Sequence, residues 1–282
     1  MDWSGARDAA VQRRTIWVAE ASGGELRSLT AGRTRAETVD HLLGVADDQT
    51  LIGLDFAFSF PAWWVRACGA DDGPAMWEVA AARGEEWLAE CPPPFWGRPG
   101  RRRPVAGAGR PEAGGPEAGG PEAGRSEWRR TELAGPPGAA RPKSVFQVGG
   151  AGAVGTGSIR GMPDLARLRA AGMAVWPFDG GPFSATNGAR GAPAVAEVYP
   201  RWCTGPVVKS RAAARAAHIA TRWPGVAPAL ATLAAASEDA FDAACTALLL
   251  SEAVVELEGG DAMDRVEGRV LAAADPGSTA WR

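Results

Sequence analysis

The chain of 282 residues contains little histidine and cysteine, with two His and four Cys. The cysteines are Cys68, Cys91, Cys203 and Cys245, and no pair forms a Cys-x-x-Cys motif. With so few soft ligands, the spacings typical of a structural zinc site are excluded. The first eight residues are charged and hold no apolar core of a secretory leader, so we expect a cytoplasmic protein with free thiols.

The sequence also lacks a long apolar run and has only two lysines, so a membrane span is not expected and arginine supplies most of the positive charge. The formal net charge is −3. Between Arg98 and Lys143, ten basic residues and five Glu give +5, which leaves −8 for the rest of the chain. This distribution argues against a whole-surface nucleic-acid binder but leaves room for a local segment that contacts phosphate.

Composition divides the chain into three parts. Residues 92–142 contain a Pro-Pro-Pro run, an Arg-Arg-Arg run and a repeated Pro-Glu-Ala-Gly unit, with too little apolar surface to offset the entropy of ordering. We therefore predict a flexible insertion there, with aromatic islands at Phe95–Trp96 and Trp128. Residues 1–91 and 143–282 are predicted to form the two parts of one folded domain.

The sequence patterns in residues 1–91 and 143–282 predict a mixed α/β protein. Two strand-like runs around Ser22-Gly23-Gly24 predict a hairpin, and residues 51–54 predict a buried strand. Helices are predicted at 34–46, 73–90, 211–221 and 237–258, and further short strands at 173–175 and 194–199. This order favours a mixed sheet with helices on its faces.

Acidic residues lie where predicted elements begin or end. Asp2 opens the chain, Asp55 follows the predicted strand, and Asp239 and Asp242 lie three residues apart in the late helix. Three or four converging carboxylates are the ligands that Mg²⁺ or Mn²⁺ requires for two-metal cleavage of a phosphodiester. Each acid also has a plain structural explanation, as a terminal residue or a helix cap, so only their joint pattern points to chemistry.

Several segments together resemble a domain-of-unknown-function family of predicted RNase H-like nucleases. They are residues 2–6, 52–61, 130–132, 143–179, 197–200 and 239–244. No single motif is specific; the order and spacing carry the likeness, which covers most of the chain outside residues 92–127. The pair Asp239 and Asp242 is also similar to the last catalytic pair of Holliday-junction resolvases.

This resemblance implies an RNase H-like fold, with a five-stranded mixed sheet, flanking helices and two divalent metals. It makes Asp2, Asp55 and Asp239 or Asp242 the catalytic metal ligands, and Glu197 a further ligand or a group behind the ligands. Substrate contacts are expected from Ser4, Arg130 and Lys143. The implied partner is nucleic acid, with DNA and RNA both open. Family members place several apolar residues before the first acid, whereas only Met1 precedes Asp2 here, so a short first strand or an upstream start is expected.

Three other interpretations stay open. The sequence Gly150-Ala151-Gly152-Ala153-Val154-Gly155 matches a dinucleotide-binding motif, but the glycines and Pro163 that follow argue against the helix that such a site needs. An actin-like or sugar-kinase-like phosphotransferase would use Asp2 and the turn Asp179-Gly180-Gly181. A degenerate binding or scaffold module would lack metal and could stack bases on tryptophans near predicted loops, at Trp63, Trp64, Trp96 and Trp128.

Overall fold

The computed structural model describes residues 1–104, 125–136, 138–179, 183–184, 192–253, 255–257 and 259–272. Within these ranges the helices are α1 Ala9–Thr15, α2 Arg35–Val45, α3 Ala62–Ala67, α4 Gly73–Glu90, α5 Arg130–Leu133, α6 Gly155–Ala170, α7 Pro200–Thr204, α8 Ala212–Arg222, α9 Pro228–Ala236, α10 Glu238–Glu252 and α11 Asp264–Glu267. The strands are β1 Val18–Ser22, β2 Glu25–Thr30, β3 Leu51–Leu54, β4 Ala174–Val175, β5 Phe183–Ser184, β6 Ala194–Glu197 and β7 Glu256–Leu257. The predicted α/β class is confirmed.

The strands form three small sheets. Strands β1 and β2 make the predicted antiparallel hairpin, β3, β6 and β4 pair in parallel with β6 in the middle, and β5 pairs antiparallel with β7. The first residues of the chain lie between the hairpin and the parallel sheet. Asp2 exchanges backbone hydrogen bonds of 3.1 and 3.3 Å with Trp17, and the Met1 nitrogen donates to the Gly53 carbonyl at 2.9 Å.

Two apolar clusters hold the helices in place. The larger cluster packs α4 and α6 around the parallel strands and contains a group of buried aromatic rings, among them Phe58, Phe60 and Trp87. The second cluster packs α8, α9 and α10 against the hairpin through residues such as Leu29 and Phe241. In the described part of the chain, no helix combines the length and apolar character needed to cross a bilayer.

Helix α6 corrects the expectation that glycines and proline interrupt the chain after the glycine-rich motif. The helix starts at Gly155 and continues through Pro163. Its buried face, which includes Ile159 and Leu165, packs against α4 and the core. Gly161 is required there because a Cβ would lie 2.7 Å from the Phe56 ring. Tertiary packing therefore outweighs the poor helix propensity of this sequence.

The segment 92–142 is also more ordered at its ends than its composition predicts. Phe95 is 3% exposed and joins the aromatic core, and Arg129 at the other end is 1% exposed. Trp96 pairs with Gln147 through a parallel bridge. Both ends of the predicted insertion therefore contribute residues to the folded core, and most of the repeated Pro-Glu-Ala-Gly unit lies outside the described residues. Helix α10 is shorter than the predicted 237–258, because it ends at Glu252 and is followed by β7.

Candidate active site

The first carboxylate, that of Asp2, is held by backbone pairing on both sides of its segment. The hydrogen bonds to Trp17 and Gly53 tie residues 1–2 between the hairpin and β3. Gly5 then allows the chain to run over the first turn of α6, because a Cβ on Gly5 would lie 2.6 Å from the Gly157 nitrogen. These contacts fix the position of residues 1–5, although the segment is short.

Asp55 comes directly after β3, at the carboxyl end of the parallel sheet. Leu54 is in register with Glu197 of β6, and the Val198 nitrogen donates to the Leu54 carbonyl at 3.0 Å. The carboxyl ends of parallel strands are where open α/β sheets place their ligands. The Asp55 side chain is half-buried and accepts no hydrogen bond from the described residues.

The remaining two acids lie at the start of α10. Ser237 caps this helix by accepting a hydrogen bond from the Ala240 nitrogen at 3.0 Å. Asp239 is half-buried, whereas Asp242 is only 7% exposed. Oxygen Oδ1 of Asp242 is buried and has no hydrogen-bond partner in the part of the chain that the structure describes.

These four carboxylates form one electrostatic cluster. Burial, and then the charge of Asp242, raise the pKa of Asp55 to about 7. The pKa of Asp2 lies well above its usual range because of burial and then because of the charges of Asp55, Asp239 and Asp242. Burial also raises the pKa values of Asp239 and Asp242. These charge effects link the four acids that the sequence selected.

Lys209 is a member of this cluster that sequence reasoning missed. Its ammonium donates to Asp242 Oδ2 at 2.5 Å, and its charge counteracts the burial-raised pKa values of Asp55 and Asp239. The buried Arg215 side chain holds the Lys209 carbonyl and also donates to the Ala235 carbonyl at 2.7 and 3.0 Å. This lysine lies in an irregular segment after α7, where no periodic pattern points to it. The one signal in the sequence is that it is one of only two lysines.

Tyr199 is the second residue that the sequence did not identify as part of the site. It lies two residues after the end of β6, whereas Asp55 directly follows β3, and it is half-buried. Burial, and then the charges of Asp55 and Asp242, raise the pKa of this phenol, which links it electrostatically to both carboxylates. It is the only tyrosine in the sequence, which is the one signal that singled it out.

The donor chemistry of this cluster suits a hard divalent cation. Carboxylate oxygens are the preferred ligands of Mg²⁺ and Mn²⁺, and the orphaned Asp242 Oδ1 is a buried acceptor that a cation would satisfy. No three Asp, Glu, His or Cys side chains among the described residues converge as a ready-made metal cage. Lys209 instead provides the direct positive partner of Asp242.

Glu197 lies near these carboxylates but is already bound. Its Oε2 accepts hydrogen bonds from Arg129 Nη1 at 2.7 Å and from the Phe58 nitrogen at 2.9 Å, and its Oε1 accepts from Arg129 Nη2. Arg129 also donates through Nε to Glu132 at 2.9 Å. Since both oxygens of Glu197 are occupied, the geometry gives it a structural role rather than the predicted catalytic one.

The three predicted substrate contacts are not brought together around the acids. Ser4 Oγ is buried and bonds internally with Thr15 Oγ1 at 2.8 Å. Arg130 donates to Asp261 and Asp264 at distances of 2.5 to 2.7 Å, so its guanidinium is engaged. Lys143 is exposed, and its stem lies against Gly152 in the loop before α6.

The residues that a phosphotransferase or a dinucleotide-binding site would use are engaged in other contacts. Asp179 accepts hydrogen bonds from Arg169 Nε at 2.8 Å and from the Val175 nitrogen at 2.9 Å, and Gly180 and Gly181 lie outside the described residues. The glycine-rich motif does precede a helix, but the Gly5 backbone lies against the first turn of α6, where a pyrophosphate would bind.

Comparison of the chain with protein-family models, with curated proteins and with solved structures finds no match in any of the three. The function therefore has to be argued from the site itself.

Proposed function

We propose that this protein is a divalent-metal-dependent nuclease, with Asp2, Asp55, Asp239 and Asp242 as the metal-binding carboxylates. The observation that carries the proposal is the electrostatic coupling of four buried or half-buried acids from three separate segments, with Lys209 and the Met1 ammonium offsetting part of their charge. Buried carboxylates without partners cost free energy, so such a cluster is expected only where a ligand supplies the missing charge.

The chain order of the elements supports an RNase H-like arrangement of this site. Residues 1–3 lie between the hairpin β1–β2 and strand β3, and β6 and β4 continue from β3 in parallel. The strands form separate small sheets, and the isolated bridge from Asp2 to Trp17 and the hydrogen bond from Met1 to Gly53 connect the hairpin to the parallel strands in the order that the proposal requires. In this proposal Asp2 and Asp55 then lie on adjacent central segments, and α10 brings Asp242 against them.

The proposed chemistry is hydrolysis of a phosphodiester. A bound Mg²⁺ or Mn²⁺ supplies Lewis-acid stabilisation of charge on phosphate oxygens and makes water more acidic. In the protein without metal the pKa of Asp55 is raised to about 7, and a bound cation would favour the ionised form, because a metal ligand has to be deprotonated. Lys209 holds Asp242 in one orientation through their 2.5 Å contact.

The test compares the wild type with Asp55→Asn and with a matched control, Asp48→Asn, which changes an exposed acid in the turn before β3. Labelled single strands, duplexes, RNA, RNA–DNA hybrids and branched DNA are incubated with and without Mn²⁺. We expect Mn²⁺-dependent cleavage that is abolished in Asp55→Asn and unchanged in Asp48→Asn. Equal activity in the wild type and Asp55→Asn contradicts the site, and no cleavage of any substrate by the folded protein contradicts the nuclease.

A second candidate, a catalytically degenerate module that binds without cutting, is favoured by one specific observation. Lys209 already neutralises Asp242, and no three described ligands form a closed metal cage. The melting temperature in EDTA and in millimolar Mn²⁺ separates the two functions. A rise with Mn²⁺ that disappears in Asp55→Asn supports the nuclease, whereas an unchanged melting temperature supports the binding module.

A further inference from the structure

Two arginines stack on one half-buried tryptophan, Trp128. The guanidinium carbons of Arg103 and Arg141 each lie 5.0 Å from the centre of the Trp128 ring, and Arg103 also lies 5.5 Å from the Trp96 ring. These distances are within the range of cation–π attraction. The rings thus fix guanidinium groups that would otherwise be mobile on the surface.

This edge carries a strong local excess of positive charge. We define the arginine–tryptophan surface as residues 98–103, 125–128 and 141–143, which contain seven basic residues and one acid. The acid, Glu127, accepts hydrogen bonds from Arg103 Nε at 2.9 Å and from Arg103 Nη2, so this guanidinium is engaged and the other six basic residues supply the excess charge. This local excess contrasts with the net charge of −3 of the whole chain.

The tryptophans here are not open platforms for bases. Arg103 lies over Trp96 and Trp128, and Arg125 lies 5.3 Å from the Trp63 ring. The Trp63 indole nitrogen also donates to the Ser126 carbonyl at 2.8 Å. This geometry therefore favours contacts between the guanidinium groups and a ligand over the expected stacking of bases on the indoles.

We propose that the arginine–tryptophan surface docks the phosphate backbone of nucleic acid without reading its bases. Guanidinium groups present N–H donors that match phosphate oxygens, and stacking on an indole lowers the entropy lost when they bind. The proposal rests on the proposed nuclease function and names how its polymeric substrate is held.

Nucleic acid fits this surface better than an anionic membrane does. The large apolar side chains that the structure exposes are Val45, Leu133 and Val208, and none belongs to the arginine–tryptophan surface. Basic residues without an apolar side chain to insert give only weak attachment to lipid. The surface instead offers charge alone, which is sufficient for a polyanion.

The surface is connected to the carboxylates by a short path. Lys143 lies against Gly152, and this loop leads into α6, whose first turn lies against Gly5. Gly5 in turn is three residues from Asp2. These contacts link the arginine–tryptophan surface to the segment that carries Asp2.

The experiment measures binding of fluorescein-labelled 20-nucleotide duplexes and single strands by anisotropy over a series of KCl concentrations. Two paired variants remove charge from the surface: Arg103→Gln with Arg141→Gln, and Arg101→Gln with Arg102→Gln. The control pair, Arg14→Gln with Arg27→Gln, removes the same charge from α1 and β2. Thermal unfolding confirms that each variant is folded.

We expect each surface pair to weaken duplex binding about tenfold or more at 100 mM KCl and to reduce the salt slope by about 2. The control pair stays within about twofold of the wild type, and duplexes of different sequence bind alike. Equal weakening by the control pair, a tenfold preference for one sequence, or tighter binding to phosphatidylserine vesicles than to DNA would each overturn the proposal.

The same variants separate failure of this proposal from failure of the nuclease. If the surface pairs bind DNA like the wild type while Mn²⁺-dependent cleavage persists, docking is wrong and the nuclease stands. If the surface pairs lose binding while no substrate is cleaved by the wild type, docking stands and the nuclease is wrong.

Discussion

Replacing Glu197 by Gln distinguishes a structural acid from a catalytic one. Arg129 and Glu197 are 1% and 3% exposed and bond through two parallel contacts, with a third from the Phe58 nitrogen. The neutral amide keeps the shape but can accept only at its single oxygen, so at least one buried donor is left without its partner. Breaking one member of a buried ion pair costs about 3–5 kcal/mol.

A loss of this size is large beside the total stability of a domain, which is about 5–15 kcal/mol. At about 2 °C for each kcal/mol, the melting temperature of Glu197→Gln should fall by about 6–10 °C. The assay is thermal unfolding followed by tryptophan fluorescence. The matched control is Glu85→Gln, because Arg160 contacts Glu85 in the same two-point manner, at 2.6 and 3.0 Å, but this acid is 58% exposed. An exposed pair contributes about 0–1 kcal/mol, so the control should unfold close to the wild type.

Two outcomes would refute the reasoning. A Glu197→Gln protein that melts with the wild type shows that the buried pair contributes nothing to stability. A variant that keeps its stability but loses Mn²⁺-dependent cleavage returns Glu197 to the catalytic role that the sequence predicted.

Asp55→Asn is expected to leave the melting temperature unchanged or to raise it in the absence of metal, because no described donor bonds to the Asp55 carboxylate.

Two further predictions concern single charged groups. Lys209→Met should lower the melting temperature in EDTA and increase the stabilisation by Mn²⁺, because Asp242 loses the one cation that contacts it among the described residues. Equal Mn²⁺ shifts in both proteins would contradict this. Asp164→Asn should stabilise the protein at pH 7.5 but not at pH 4, because burial raises the pKa of Asp164 to about 6. The stability that its protonated form provides is complete below the unfolded pKa and is lost as the pH rises through 6, by up to about 3 kcal/mol. Urea unfolding at both pH values measures this, with the exposed Asp40→Asn as control; a gain of equal size at both pH values would contradict it.

The sequence predicted the parts of the fold that local patterns encode. The hairpin has a glycine turn between two alternating runs, α4 is bounded by Asp72 and Cys91 as expected, and the acids of α10 follow a serine cap. Asp55 could be placed because a buried apolar strand that ends in a carboxylate is a short-range signal. These features depend on a few neighbouring residues, so the printed sequence is sufficient to find them.

Other features depend on contacts between distant residues, and the sequence could not reveal them. Helix α6 contains glycines and a proline, yet the packing of its buried face against α4 stabilises it. Arg129 sits in a segment with the composition of a flexible linker, but it is buried because Glu132 and Glu197 accept from its guanidinium. Lys209 meets Asp242 across 33 positions. In each case the structure around the residue depends on a partner distant in the sequence rather than on the local sequence pattern.

Glu197 and Asp55 show why burial of an acid does not by itself identify a functional site. They lie at the ends of neighbouring parallel strands, one position apart in register. Every oxygen of Glu197 is filled by a donor from the chain, so its charge is balanced within the fold and a ligand has nothing to add. Asp55 accepts no such hydrogen bonds from the described residues, and the Met1 ammonium and Lys209 offset the effects of burial and of the Asp242 charge only in part. In the proposed function this shortage of donors, rather than the presence of an acid, would direct a cation to Asp55, whereas Glu197 holds the strands together.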